Sequence, residues 1–363
     1  MSFVRARFVH AILLSLAAFL STSAFAQHYQ ETNLISDLSG KAPVVDPRLK
    51  NPWGLARSAS SFWWVARNGD GTAATYNGQG QLGPLAVTVP APPGQSGPSA
   101  PTGTVFNGSS GFAVTPGNPG IFIFVTEDGT ISAWNPNVNP ANAVLKVNNG
   151  PHAVYKGATI SELGGKRFLY VANFRSGQIE IYDTNFQRIR FGEEAFDDDR
   201  IPRGFAPFNV QAVGANLYVT YAKQDPQKHD DVQGPGFGFV DVFSPNGRLL
   251  ARLEHGRWMN APWGIVLTPA DFGEFSHAIL IGNFGDGTIA AFNPVTGRFM
   301  GNVLNPDGSV LKIEGLWALA FGNDANAGSA LSLFFTAGIN DEKDGLFGTL
   351  TPVPAERNEE DEP

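Results

Sequence analysis

A unit of about fifty residues repeats along this chain, and the repetition constrains the fold more than any other feature of the sequence. The segment Asn51-Pro52-Trp53-Gly54 returns as residues 260–264, and weaker copies surround Phe208 and Trp317. Two further copies lack the Pro-Trp signature but lie where even spacing requires them. The six starting points are 49 to 55 residues apart: Trp53, Val105, Val154, Phe208, Trp263 and Trp317. The sequence therefore predicts six structural units.

Each unit continues with an apolar strand, a polar turn that contains glycine, and a strand of alternating polarity. Residues 178–183 and 288–293 show the same alternation, which is typical of half-buried strands. About four strands fit into fifty residues, and repeated four-stranded sheets arranged radially are the blades of a β-propeller. We therefore predict an all-β fold, a six-bladed β-propeller. A β-sandwich or a parallel β-helix is less compatible with this unit length.

The segment Gln30–Asp37 precedes the first unit and has no unit of its own. Its central residues, Asn33–Ser36, are predicted to supply the outer strand of the sixth blade, whose C-terminal copy ends at Pro352. Such a strand joins the two ends of the chain and removes an exposed sheet edge. The prediction is a single propeller domain, residues 27–354, closed by an N-terminal strand that completes the last blade.

Residues 1–26 have the three parts of a secretory signal: two arginines, the apolar run Ala11–Leu20, and a small-residue cleavage site before Gln27. We expect a secreted or periplasmic protein, and an uncleaved anchor is the alternative. The apolar run is too short for a membrane span, and no later stretch reaches about 20 apolar residues. The chain contains no cysteine, so an exported protein of this size folds without disulfides.

The formal net charge is −8, and no cluster of lysine and arginine provides the basic face that nucleic-acid binding needs. The C-terminal segment 355–363 contains five acidic residues and one arginine. We expect it to be a solvated, disordered tail. The composition thus excludes nucleic acid as a partner and leaves a small molecule, a glycan or a protein.

Polar side chains are predicted to collect at one mouth of the channel, where the turn after strand two and the link between blades share a face. Alignment on the turn glycines places one residue of each unit there: Arg67, Glu127, Asn173, Tyr221, Asn283 and Ala337. The functional interpretation is a ring that binds a ligand over the channel. The alternative is that asparagine at a strand end bonds its own turn and specifies no ligand.

Aromatic residues recur at one position of the inner strand, as Trp53, Phe208, Trp263 and Trp317. They are predicted first as a packing layer. If Trp53, Trp263 and Trp317 face the channel instead, they offer flat surfaces that stack on sugars or aromatic ligands.

Two insertions break the repeat, and irregular loops on a rigid scaffold often carry function. One contains Glu193, Glu194 and Asp197–Asp199, and the other, Ala222–Gly236, contains Asp225 and His229. Clustered carboxylates can hold a hard cation such as Ca²⁺. The spacing of Asp197–Asp199 is not that of a defined calcium loop, so a solvated acidic loop is the alternative.

Several of these segments together resemble a family of secreted bacterial six-bladed propellers of unassigned function. The resemblance is carried by residues 33–38, the Asn51–Gly54 start, and the turns Ala172–Phe174 and Gly282–Phe284, and it covers nearly the whole mature chain. A more distant resemblance, to NHL-repeat and gluconolactonase-like propellers, is based on the repeat alone. The resemblance implies the fold and export, and it supplies no activity.

Two functions therefore remain open. The first is a binding or interaction module with its ligand over the channel mouth. The alternative is a metal-dependent lactonase- or lyase-like enzyme, in which a divalent cation at the mouth polarises a carbonyl. Its expected ligands are Glu127, Asn173, Asn283 and either Asp225 or Asp70. The sequence has no Gly-x-Ser-x-Gly elbow, His-Glu-x-x-His helix or phosphate-binding loop, so it identifies no catalytic residue.

Overall fold

Six sheets, antiparallel except for one short outer pair in the last blade, form the blades of a β-propeller in the computed structural model, which describes residues 27–354. The predicted signal segment, 1–26, and the predicted acidic tail, 355–363, lie outside the described residues. In each blade the strands follow one another outward from the axis. The predicted six-bladed fold is confirmed. Within the described range, no helix is long and apolar enough to cross a membrane.

The chain starts with two strands that belong to the last blade, β1 (Gln27–Ser36) and β2 (Val44–Val45). Blade 1 consists of β3 (Pro52–Ala56), β4 (Trp63–Arg67), β5 (Thr72–Tyr76) and β6 (Leu82–Thr88). Blade 2 consists of β7 (Pro101–Phe106), an inserted hairpin of β8 (Ala113–Thr115) and β9 (Asn118–Pro119), then β10 (Phe122–Thr126), β11 (Thr130–Trp134) and β12 (Val144–Asn148). Blade 3 consists of β13 (Tyr155–Leu163), β14 (Lys166–Asn173), β15 (Gln178–Tyr182) and β16 (Arg188–Ile189).

Blade 4 consists of β17 (Phe205–Val213), β18 (Asn216–Gln224), the short side strand β19 (Asp231–Val232), β20 (Gly238–Phe243) and β21 (Leu249–Arg252). Blade 5 consists of β22 (Pro262–Leu267), β23 (Ile279–Asn283), β24 (Ile289–Phe292) and β25 (Phe299–Asn302). Blade 6 consists of β26 (Leu316–Phe321), β27 (Leu333–Ala337) and β28 (Leu346–Pro354), followed by β1 and β2. The helical turns are Asn68–Asp70, Gly150–His152, Gly273–Phe275 and α1 (Ile339–Glu342).

The hydrophobic core follows the blade arrangement. Six of the seven buried clusters each combine side chains from two neighbouring blades, as where Trp63 of blade 1 packs on Phe334 of blade 6. The seventh cluster lies on the axis and draws on five blades. Near the axis the inner strands approach closely: a Cβ on Gly54 would lie 2.3 Å from the carbonyl oxygen of Thr102. Burial between blades therefore holds the ring together.

The pairing register identifies equivalent positions in the six blades. Near the mouth, one residue of each inner strand pairs with an equivalent residue near the end of strand two, as Pro52 does with Arg67, Tyr155 with Asn173 and Pro207 with Tyr221. The next inner-strand residues are equivalent across the blades: Trp53, Thr102, Lys156, Phe208, Trp263 and Trp317. A lysine thus stands in blade 3 where four other blades have an aromatic residue.

The N-terminal strand closes the ring as predicted. Strand β1 pairs antiparallel with β28 from Gln27, opposite Pro354, to Ser36, opposite Leu346, so the pairing begins three residues before the predicted Gln30. Tyr29 is fully buried, and its hydroxyl donates to the carbonyl oxygen of Phe272 in blade 5 at 2.8 Å. The closing strand therefore bonds both its own blade and the neighbouring one.

We expect Tyr29→Ala to reduce the free energy of unfolding by about 3–5 kcal/mol, because it leaves a large cavity beside the closing strand. Urea unfolding followed by tryptophan fluorescence measures this change. The matched control is Thr32→Ala, an exposed position of the same strand, which should change stability by less than about 0.5 kcal/mol. Equal effects of the two substitutions would contradict the proposed role of the strand.

Candidate functional site

Charged and amide side chains from five blades meet at one end of the axis. This end, which we call the mouth, is formed by the turns between strands two and three and by the links that enter the inner strands. The group contains four carboxylates, one lysine, one histidine and two asparagines. We call it the mouth cluster, and its members are Asn51, Asn68, Glu127, Lys156, His229, Asp230, Asp231 and Glu342.

The mouth cluster rests on a set of buried rings that fill the channel. This aromatic plug consists of Trp53, Phe174, Phe208, Trp263, Phe284 and Trp317. The ring centres of Trp53 and Trp317 are 3.4 Å apart, and Phe284 stacks on Trp317 at 3.9 Å. Rings of non-neighbouring blades also touch: Phe208 of blade 4 lies 5.9 Å from Trp317 of blade 6. Such contacts cross the axis, so the plug blocks the channel below the mouth.

Lys156 brings a buried ammonium group onto the plug. Its Nζ lies 5.1 Å from the centre of the Trp53 ring, in the range of cation–π attraction. The same atom bonds the carboxylate of Glu127, and it lies 3.3 Å from Oδ1 of Asp230. Burial alone would lower the pKa of Lys156, but these carboxylates outweigh burial and leave the pKa raised. Lys156 therefore stays charged at neutral pH.

Two asparagines orient carboxylates of the cluster, and one of them, Asn51, also bonds the plug. Asn51 accepts a hydrogen bond from Nε1 of Trp317 at 3.0 Å and donates to Oε2 of Glu342 at 2.7 Å. Asn68 donates to Oε2 of Glu127 at 2.8 Å. Each bond fixes a carboxylate at the edge of the plug, so the two carboxylates are oriented before any ligand arrives.

Glu342 lies on a strained turn. The backbone of Asn340, Asp341 and Glu342 has φ angles of 54°, 54° and 62°, a left-handed conformation that non-glycine residues rarely adopt. A Cβ on Gly338 would lie 2.1 Å from Oδ1 of Asn51, so only glycine allows this turn to approach the mouth. Strain of this kind costs about 1–3 kcal/mol per residue and collects at functional sites.

The insertion in blade 4 carries the remaining acids. Asp225 organises the loop by accepting hydrogen bonds from the backbone N–H groups of His229 and Asp230. His229 Nδ1 lies 2.9 Å from the Asp230 carboxylate, and this contact raises the pKa of the histidine and lowers that of Asp230 to about 2. Burial raises the pKa of Asp231 to about 7, and its Oδ2 has no hydrogen-bond partner in the described chain.

A cavity of about 440 Å³ opens beside the mouth cluster, between blades 5 and 6. Phe284 of the plug and Glu342 of the cluster both line it. Its other charged lining residues are Asp286, Lys312, Glu314 and Asp341, so carboxylates outnumber ammonium groups four to one. The cavity therefore combines an aromatic wall with negative charge.

Most of the predicted mouth residues bond groups of their own blade rather than the mouth cluster. Asn173 accepts from the N–H groups of Val154 and Ser176 and donates to Glu180, and Asn283 likewise bonds the link that enters its own blade. Among the predicted metal ligands, only Glu127 belongs to the mouth cluster. The alternative interpretation, asparagines that fix local turns, describes their observed bonds.

The other predicted residues are buried. Arg67 is 2% exposed, donates to Thr72 and pairs with Asp46 and Asp70. Tyr221 packs between blades 3 and 4. Trp53, Trp263 and Trp317 face the axis, but they contact one another and are at most 4% exposed. They form a packing layer rather than an open stacking surface.

Sequence reasoning missed the residue at the centre of the site. The alignment on turn glycines put Glu127 at the end of strand two, but the pairing register gives that place to Thr126 and puts Glu127 one residue later, equivalent to Asn68. The missed residues include Lys156, Asn51 and Glu342. The repeat alignment placed Val105 and Val154 at the inner-strand position that the pairing register gives to Thr102 and Lys156, so the sequence did not single out Lys156.

No family model matches the chain. Two uncharacterized proteins of Acanthamoeba polyphaga mimivirus are each 33% identical to it, and the matches cover 87% of this chain and 78% and 84% of those proteins. Virginiamycin B lyase from Staphylococcus aureus has a TM-score of 0.50 at 12% identity, over 90% of this chain and 100% of the lyase. A protein of unknown function from Bacteroides thetaiotaomicron has a TM-score of 0.56 at 10% identity, over 90% of this chain and 76% of that one. The structural likeness shows the propeller fold alone.

The pKa of Asp231 makes stability depend on pH. The folded protein keeps this carboxyl protonated up to about pH 7, whereas the unfolded chain releases the proton near its ordinary pKa of 3.8. Stability from this group is therefore lost as pH rises between those values. Raising the pH from 5 to 8 should lower the melting temperature of the wild type more than that of Asp231→Asn.

His229, whose pKa is also raised, lowers stability in the same direction, and it is present in both proteins, so the difference between them isolates Asp231. Calorimetry at the two pH values measures it. Parallel pH profiles would show that the Asp231 carboxyl has an ordinary pKa.

Proposed function

The chain belongs to the same family as the two uncharacterized mimivirus proteins, and from this premise we propose that it is an exported binding module with its ligand over the mouth. The family relationship brings no activity with it. The proposal is carried by one observation: charged groups from five blades converge on the plugged end of the channel beside an open cavity. Export is supported by the three-part signal in residues 1–26.

A small organic cation fits the charge of this site. The cavity has four carboxylates against one lysine, and its lining includes the aromatic residue Phe284; aromatic rings attract ammonium groups. A volume of about 440 Å³ is in the range of small-molecule pockets. Negative potential focused in a cleft also raises the local concentration of cations. The ligand that we propose is therefore an amine or quaternary ammonium compound.

Titration with cadaverine and choline, compared with uncharged 1-pentanol, tests this proposal by calorimetry and thermal shift. The cations should bind, and Glu342→Gln should weaken their binding about tenfold, or about 1.4 kcal/mol, because it removes charge but keeps an acceptor for Asn51. The matched control is Glu162→Gln, an exposed position on β13. The proposal fails if pentanol binds as well as the amines, or if both variants bind like the wild type.

A metal-dependent enzyme is the second candidate, and a specific cluster favours it. Ligand atoms of Glu127, His229 and Asp230 lie within 4.8 Å of one another, a set that can hold a divalent ion. A lyase among the structural neighbours shows that this fold can carry an enzyme. The ammonium of Lys156, however, contacts both carboxylates of the set. A metal ion has to displace that ammonium, which is why we rank binding first.

Replacement of Lys156 tests whether its ammonium takes the place of an ion. Lys156→Met should destabilise the metal-free protein by about 1.5–3 kcal/mol, because it removes the ammonium that bonds the partly buried carboxylate of Glu127. Millimolar Mn²⁺ or Ca²⁺ should then raise its melting temperature, since an ion that binds only the native state stabilises it, by about 2.7 kcal/mol at 100 times the dissociation constant.

The wild type should not respond to the same ions, and the double variant Lys156→Met, Glu127→Gln should lose most of the gain. Elemental analysis of the purified wild type completes the test. Stoichiometric metal in the wild type would contradict the role assigned to Lys156 and would favour the enzyme.

A further inference from the structure

A second cavity lies at the other end of the axis, on the face opposite the mouth. It has a volume of about 600 Å³, and the C-terminal halves of the inner strands of all six blades line it. Leu55 belongs to this lining and also packs against the aromatic plug. The plug therefore separates this rear cavity from the mouth.

The walls of the rear cavity are mainly apolar. Aliphatic and aromatic side chains come from every blade: Leu55, Phe106, Ile160, Val213, Ile265 and Leu319 are examples. At its rim, Leu267 is 44% exposed. No carboxylate lines the cavity, in contrast to the mouth, and its single charged side chain is Arg57. The cavity thus suits an apolar molecule and carries one positive charge.

Arg57 is a partly buried cation that forms no ion pair with the described residues. Its Nε donates to the carbonyl oxygen of Phe321 at 2.6 Å, and its guanidinium carbon lies 5.7 Å from the ring centre of Trp63. Within residues 27–354 no carboxylate approaches within ion-pair distance. Burial lowers the pKa of Arg57, and the charge of Asp324, which lies beyond ion-pair distance, offsets this effect only in part. A bound anion would compensate Arg57 for its lost hydration.

Two further lining residues have buried donor groups without partners. Trp63 Nε1 and Thr104 Oγ1 are inaccessible and make no hydrogen bond in the described part of the chain. Buried polar groups of folded proteins nearly always have a partner, so two exceptions in the lining of one cavity need an explanation. Both groups are donors, but because they are inaccessible, a ligand in the cavity reaches them only after a local rearrangement, whereas Arg57 is partly exposed.

We propose that the rear cavity binds a small amphipathic carboxylate, such as a medium-chain fatty acid. The apolar body lies against the inner strands, and the carboxylate pairs with the free N–H groups of Arg57, an arrangement that guanidinium geometry favours. The volume is in the range of small-molecule pockets. This site is independent of the mouth, because the plug lies between them and the two ends carry opposite charge.

The test compares three ten-carbon probes below their micelle concentrations: decanoate, 1-decanol and decyltrimethylammonium. Calorimetry should show decanoate binding with one molecule per chain, 1-decanol binding more weakly and the cation not binding at this end. Arg57→Gln should weaken decanoate at least tenfold and leave 1-decanol unchanged. Arg175→Gln, on a turn of the mouth face, is the matched control and should bind decanoate like the wild type.

A second variant keeps the test decisive if Arg57→Gln unfolds. Gln211→Trp puts a large side chain at a partly exposed residue that lines the rear cavity and lies outside the hydrophobic clusters, and it keeps Arg57. It should abolish binding of both decanoate and 1-decanol at unchanged circular dichroism. The proposal is overturned if decanoate does not bind the wild type, or if Gln211→Trp still binds decanoate. It is also overturned if decyltrimethylammonium binds as tightly as decanoate, and if that binding is retained in Glu342→Gln but lost in Gln211→Trp. If cadaverine and choline do not bind at the mouth, the proposal for the mouth fails, but the decanoate experiment still tests the rear cavity.

Discussion

The aromatic plug is the contact on which the rest of the structure depends. Other cores of the propeller join neighbours around the ring, but the plug alone joins blades across it, as where Nε1 of Trp263 in blade 5 donates to the carbonyl oxygen of Lys156 in blade 3 at 2.9 Å. Stacked and edge-on rings in van der Waals contact contribute beyond their buried area. The plug also separates the two ends of the channel, so the carboxylates at the mouth and the apolar lining of the rear cavity are independent of each other.

Lys156 explains why a charged group lies directly on the plug. Blades 1, 4, 5 and 6 have a ring at this inner-strand position, whereas blade 3 has Lys156, which pairs with Glu127 of blade 2. A buried ammonium loses hydration, and only close carboxylates and ring faces compensate for that loss. Because Lys156 is 2% exposed and has both, the charge persists next to an apolar layer. Lys156 is thus the buried cation that joins Glu127 of blade 2 to Asp230 of blade 4.

The fold was more predictable than the site because the two depend on different information. Six blades and the closing strand followed from repeat spacing and strand alternation, which are local and periodic. The site depends on register: a shift of one residue moves a side chain to another environment, and Glu127 differed from its assumed place by one position. The left-handed turn that carries Glu342 has no periodic signal, because packing around Gly338 and Asn51 imposes it. The sequence predicted Glu127 as a mouth residue, but its partners Asn68 and Lys156 are identified only by the way the folded blades meet.

Closure of the ring and geometry of the mouth share the same residues. Lys50 pairs with Asp37, which follows the closing strand, and with Asp344, two residues after Glu342. Asp344 in turn accepts a hydrogen bond from the side chain of Asn340 at 2.9 Å, within the strained turn. Two sets of contacts therefore hold the turn. Asn51 donates a hydrogen bond to the carboxylate of Glu342. Lys50, which pairs with Asp37 after the closing strand, also pairs with Asp344 at the end of the turn. A strained conformation persists only where its surroundings over-determine it. The strand that completes the sixth blade consequently does more than cover a sheet edge, because its attachment at Asp37 and Lys50 also helps to hold Glu342 at the mouth.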